Sequence, residues 1–126
     1  MRWLRNSCAS VSDIRIVLAD TDALRNLVYR FRYDIYVRRM GRRQLYADPS
    51  SEAIVEPQDR LGRTHLALDG QGNAIGTIRS NLASDTSMIY YRKLYRLDEF
   101  EFSDLSDIQI TTKFIIHPSH RGSTLA

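Results

Sequence analysis

Residues 107–126 read DIQITTKFIIHPSHRGSTLA, and this stretch decides the fold. Ile108, Ile110, Thr112, Phe114 and Ile116 alternate with Gln109, Thr111, Lys113 and Ile115, the two-residue period of a strand with one face toward a core. His117-Pro118 ends that strand, because proline donates nothing to a sheet ladder and restricts the residue before it. A basic, small-residue segment follows, Arg121-Gly122-Ser123-Thr124, and Leu125-Ala126 stand where a helix would begin. Strand, glycine-containing turn and helix start form an anion-binding device, since free backbone N–H groups there point at a phosphate.

Working outward, residues 14–19 are strand-like and Asp20-Thr21-Asp22 supplies a helix cap. Leu24, Leu27, Val28, Phe31 and Ile35 then recur at helical spacing, predicting a helix to about Met40, ended by Gly41. Arg25, Arg32 and Arg39 line one margin of that apolar stripe, with Tyr29, Tyr33 and Tyr36 beyond them. Two accounts fit this margin: a solvated face whose arginines cover tyrosine rings, or a pocket wall that holds a carboxylate or phosphate.

Residues 41–62 are polar and irregular, with one short helix expected over 50–55. They carry Asp48, Glu52, Glu56 and Asp59, acids that either balance surface charge or serve chemistry before the next strand. Residues 64–69 and 73–82 read as a hairpin around Gly70-Gln71-Gly72. On its second strand Ile75, Thr77, Arg79 and Asn81 share one face. A mid-strand arginine is costly to bury unpaired, so Arg79 is either exposed or meets an acid such as Glu56 or Asp59. Residues 84–106 hold an aromatic insert of short helices, including Tyr91, Leu94 and Phe100, which either staples a connection or lines an apolar channel. The order implies an α+β fold with a mainly antiparallel sheet.

The 126 residues fit a single domain, with 1–12 as a loose arm. Net charge is +3, and the basic side is sixteen arginines against two lysines, a composition suited to planar anions. The basic run of 25–43 comes with no nucleic-acid recognition motif, so no nucleic-acid partner is expected. One cysteine, Cys8, excludes a disulfide framework and a thiolate metal cluster, and no metal is expected. No apolar run approaches the ~18 residues of a transmembrane segment, and no signal-peptide core follows the basic start. A cytoplasmic setting is the expectation.

Three segments resemble the GCN5-related N-acetyltransferase (GNAT) superfamily, in the branch of N-acyl amino acid synthases and acyl-homoserine lactone autoinducer synthases. They are residues 31–37 (FRYDIYV) followed by Met40-Gly41; Glu56-Pro57-Gln58-Asp59 with Gly76-Thr77-Ile78-Arg79; and residues 111–118 (TTKFIIHP) with His120-Arg121-Gly122-Ser123. Autoinducer synthases usually carry a glutamate and an arginine where this chain has Ile110 and Lys113, and usually lack an Arg-Gly turn. Both departures favour the synthase that joins a fatty acyl group to an amino acid's amine. Thr124 stands where the superfamily loop has its second glycine. A carrier-protein phosphopantetheine, with one phosphate, demands less of that loop than coenzyme A.

The resemblance implies acyl transfer from an acyl-phosphopantetheine thioester, on acyl carrier protein or coenzyme A, to an amino-acid acceptor. Glu56 or Asp59 would take the amine's proton, with Arg79 in the catalytic group. Arg32 and Tyr36 would bind the acceptor. Phe114, Ile115 and Ile116 would hold the pantetheine arm, Tyr91, Leu94 and Phe100 the acyl chain, and Arg121, Gly122, Ser123 and Thr124 the phosphate. The superfamily fold continues beyond this loop. The chain is therefore expected to be its N-terminal portion, incomplete at the C-terminus, with a dimer or partner over the open sheet edge. The alternatives are autoinducer synthesis and a non-catalytic remnant or binding module of the same fold.

Overall fold

The computed structural model describes residues 13–101 and 104–122. The expected arm of 1–12, and Ser123, Thr124, Leu125 and Ala126 with their expected helix start, lie outside the described residues. The chain runs β1 (Arg15–Leu18), α1 (Asp22–Tyr33), β2 (Ala47–Asp48), β3 (Ala53–Ile54), β4 (Arg63–Leu68), β5 (Ala74–Leu82), α2 (Ile89–Leu94) and β6 (Gln109–Ile116), with 3₁₀ turns between. One antiparallel sheet has the order β1-β4-β5-β6, and β2-β3 form a separate ribbon. The architecture is α+β, compatible with the N-terminal part of an acetyltransferase-like plan.

The cap expected before α1 is present: Thr21 Oγ1 accepts from the Leu24 N–H at 3.2 Å. The apolar stripe of α1 then packs on the sheet. Val28 joins Ala19, Leu66 and Leu68, with Leu24 and Leu27 against them. One turn on, Phe31 and Ile35 meet Ile115 of β6. The helix widens into a π-turn at Asp34–Arg39 and stops at Gly41, whose φ of +60° suits the absence of a Cβ.

Along β5, Ile75, Thr77, Arg79 and Asn81 are all buried on the face toward α1, as the alternation predicts. The aromatic insert closes one end of this face, where Tyr91, Leu97 and Leu105 pack on Ala83, Met88 and Ile110.

Two expectations fail. Residues 50–55 form the turn and second strand of the β2-β3 ribbon, not a helix. Asp48 takes the Ser50 N–H and the hydroxyls of Ser50 and Ser51, a local network that competes with helix formation. Strict alternation along β6 also breaks. Thr112 pairs with Arg79 and Ile115 with Thr77, so Lys113 and Phe114 together oppose Ile78. That is a β-bulge, and Lys113 adopts a φ of +55° to make it. The bulge turns Phe114 to the outer face, 62% exposed, and brings Ile115 inward.

Leu66, fully buried at the sheet's centre, tests this packing. Leu66→Ala is expected to lose about 2–5 kcal/mol in urea denaturation. Ile16→Ala, on the exposed outer face, is expected to change stability by less than about 0.5 kcal/mol.

Candidate functional site

Arg32 of α1 and Arg79 of β5 are both fully buried, 0% exposed. A guanidinium does not deprotonate in a protein, so each must meet an anion to be there. The anion is Asp59, on the 3₁₀ turn Pro57–Asp59. Arg32 grips it with a two-pronged fork, Nη1 to Oδ2 at 2.7 Å and Nη2 to Oδ1 at 2.9 Å. Arg79 Nη1 adds a bond to Oδ1 at 3.1 Å and its Nε donates to Thr112 Oγ1 at 3.2 Å. The Glu56 N–H donates to Oδ2 at 2.7 Å. Both Asp59 oxygens are thus saturated.

Burial pushes the Asp59 carboxyl up. The Arg32 bonds and charge, the Glu56 N–H and the Arg79 charge outweigh that push and hold it below the ordinary carboxylate range. Such a carboxylate is a poor proton acceptor and a strong positioning group.

Glu56 differs. Its side chain is 11% exposed, and Oε1 accepts no hydrogen bond among the described residues. Oε1 is held only by charge, with Lys113 Nζ at 3.2 Å and Arg79 Nη1 at 3.6 Å. The bulge supplies this lysine: its left-handed backbone delivers the ammonium to Glu56 and over the Tyr36 ring, 5.2 Å from the centroid. Arg32, Arg79 and Lys113 thus face Asp59 and Glu56 with one positive charge in excess. Arg32 Nε and Arg79 Nη2 have no hydrogen-bond partner among the described residues.

Gly62 lets the 56–60 turn press this close. A Cβ there would fall 2.6 Å from the Gln58 carbonyl oxygen and 3.0 Å from Arg79 Cδ. The turn is tied down further by Asn81, whose Nδ2 donates to the Gln58 carbonyl at 2.9 Å and to Asp85 Oδ2 at 3.0 Å.

Two clefts open near this cluster. One, about 390 Å³, runs between the end of the first helix and the bulged end of β6. Tyr36, Phe114, Ile115, Ile116 and Arg121, expected from sequence for acceptor, pantetheine and phosphate, all line it, together with Arg42. Burial raises the Tyr36 phenol above its ordinary value, so it stays protonated and able to donate at neutral pH. The Arg121 Nε donates to the Ile116 carbonyl at 3.1 Å, and Gly122 follows at φ +78°. The second cleft, about 530 Å³, has Arg25 and Tyr29 on one wall, the 55–61 turn with Glu56 and Arg60 on the other, and Ser87 closing it.

Tyr91, Leu94 and Phe100 are not brought to either cleft. Tyr91 packs on the Ala83–Met88–Ile110 cluster and stacks with Tyr95 at 6.4 Å, whereas Leu94 and Phe100 are exposed. Ser123 and Thr124 lie outside the described residues. Lys113 is the central side chain that sequence reasoning missed as a site residue. Its placement depends on the bulge, which the alternation of β6 does not announce. Among the described residues no group of three or more His, Cys, Asp or Glu side chains is arranged to hold a metal, and no helix is long and apolar enough to cross a membrane. No family model, curated protein or solved structure matches this chain.

Removing the Asp59 carboxylate strands two buried guanidiniums. Asp59→Ala is expected to cost about 3–5 kcal/mol, whereas Asp22→Ala, which breaks an exposed pair with Arg25, should leave the unfolding midpoint where it was. Because the folded Asp59 value is depressed, its contribution is complete above the unfolded value of about 3.9 and is lost as pH falls through the folded one. Urea midpoints followed downward from neutral pH should therefore drop once pH passes below about 4. A flat profile there would contradict the assignment.

Proposed function

We propose that this protein transfers an acyl group from a phosphopantetheine thioester to the amine of an amino acid. The observation that carries this reading is the position of Glu56. It lines the polar cleft, while the lysine that holds it sits on Tyr36, a wall of the arginine-lined apolar cleft. A thioester donor needs an apolar trough with cationic groups for phosphate, and an amine acceptor needs a base on the other side.

In this reading the donor's pantetheine arm lies along Phe114, Ile115 and Ile116, with Arg42 and Arg121 toward its phosphate. Glu56 takes a proton from the acceptor ammonium, directly or through one water. The freed nitrogen attacks the thioester carbonyl carbon, the carbon–sulfur bond breaks, and the leaving thiolate takes a proton from the Tyr36 phenol. The second proton lost by the nitrogen as the amide forms returns to the Tyr36 phenolate, and the proton on Glu56 passes to water. Lys113, in the bulge, stabilises the negative charge that develops on the carbonyl oxygen. Asp59 and the two buried arginines act from beneath: they fix the turn that carries Glu56 and touch no substrate. Acyl carrier protein or coenzyme A serves as donor carrier in this proposal, and the edge of β6, unpaired among the described residues, is where a second copy or partner would dock.

The test is thiol release on mixing acyl carrier protein or coenzyme A thioesters with amino acids. Glu56→Gln should lower the rate by about 10²–10⁴-fold. Lys113→Gly keeps the left-handed bulge, since glycine accepts that backbone freely, and should also slow transfer. Absence of release above background with both donor types would sink the proposal. Lactone formation from S-adenosylmethionine would move it to autoinducer synthesis.

A further inference from the structure

Residues 38–46, from the end of the π-turn to the edge of the β2-β3 ribbon, read RRMGRRQLY, four arginines with no acid among them. The first two are spent: Arg38 pairs with Asp34 and Glu52, and Arg39 with Asp34. Arg42 and Arg43 are exposed and make no ion pair or side-chain hydrogen bond among the described residues. Asp48, the next acid along the chain, is occupied by Ser50 and Ser51. Beside the two free arginines stand Met40, Leu45 and Tyr46, exposed by 41%, 89% and 45%. Leu45 is the most exposed large apolar side chain of the described residues. The segment is a fixed projection. Gly41 turns the chain at φ +60°, the Gly41 and Arg42 N–H groups donate to the Val37 and Tyr36 carbonyls, and the Ala47 N–H closes a turn onto the Gln44 carbonyl.

We infer that this lip is an interfacial contact for an anionic lipid surface. A projecting apolar side chain flanked by free cations is the arrangement that enters a headgroup layer: the fluid surface closes around it while phosphates meet the guanidiniums. Each arginine near an anionic leaflet strengthens binding about fivefold, and burial of Leu45 strengthens it by about tenfold. Tyr46 suits the same depth, with an apolar ring and a polar hydroxyl. A nucleic acid would use the arginines and leave Leu45 in water. The other exposed apolar cluster lacks this charge. On the aromatic insert, Tyr90, Leu94 and Phe100 lie in a stretch, 89–101, whose three basic residues are matched by three acids. Met40 and Arg42 also line the apolar cleft, so contact through the lip sets that cleft against the lipid. This consequence rests on the acyl-transfer reading, in which an acylated product would pass straight into the bilayer. The contact itself requires neither donor nor acceptor.

Co-sedimentation of the intact chain with lipid vesicles tests the contact. Vesicles of phosphatidylglycerol and phosphatidylcholine should carry the protein down, and added salt should weaken that binding. Vesicles of phosphatidylcholine alone should bind it at least about tenfold more weakly. Arg43→Ala should weaken binding to the anionic vesicles about fivefold and Leu45→Ser about tenfold. Both variants should melt with the wild-type midpoint, because both side chains are exposed. Leu82→Ser, at an exposed apolar position on the far end of β5, should leave binding unchanged. Failure to sediment with anionic vesicles, equal binding to neutral ones, or an equal loss from Leu82→Ser would each overturn the inference. Binding that Leu45→Ser leaves intact would mark a bare polyanion patch or the dock of an acidic protein, and would overturn it too. Vesicle binding without thiol release from any donor would keep the lipid contact and reject acyl transfer. Thiol release without vesicle binding would keep acyl transfer and reject the lipid contact.

Discussion

Asp59 sits between two guanidiniums that have no contact with water, and the rest of the structure is arranged around that fact. Arg32 comes from the helix, Arg79 from the middle of the sheet, and Asp59 from the turn between them in sequence. Burying any one of these charges alone costs several kcal/mol. Together, with every Asp59 lone pair used, they fix the distance from helix to sheet and the height of the turn above both. The hydrophobic clusters on either side would tolerate small slides of α1 across the sheet; a forked ion pair does not.

The same clamp separates the two carboxylates of the turn into different roles. Asp59 is held ionised and fully hydrogen-bonded, so it positions. Glu56, three residues earlier, turns Oε1 inward against Lys113 and Arg79 and lines the polar cleft. The bulge in β6 completes the arrangement by spending backbone strain to aim one lysine.

Much of the fold was legible because it is local. The stripe from Leu24 to Ile35, the cap at Thr21 and the glycine turn of the hairpin each announce themselves within a few residues, and all three are present. The alternation on β5 grouped Ile75, Thr77, Arg79 and Asn81 on one face and left Arg79 either exposed or paired with an acid such as Glu56 or Asp59, and the structure buries it against both. The site was less legible. The helical margin grouped Arg25, Arg32 and Arg39 as equals, yet only Arg32 is buried, because only it meets an acid 27 residues away. Phe114 was placed inward by strict alternation, and no residue type warned of the bulge, since its left-handed position is a lysine instead of a glycine.

Sequence by itself determined the period of each element, the face each strand offers to the core and the short list of charges that need partners. These follow from backbone geometry and from the cost of burying apolar or charged groups, which act over a few residues. Only the tertiary structure decided which charges are spent on one another and which are left over. That choice depends on contacts across 20 to 33 residues of chain, such as Arg79 with Asp59 and with Thr112. A strained bulge can reverse the face of a side chain there without leaving a trace in the periodicity.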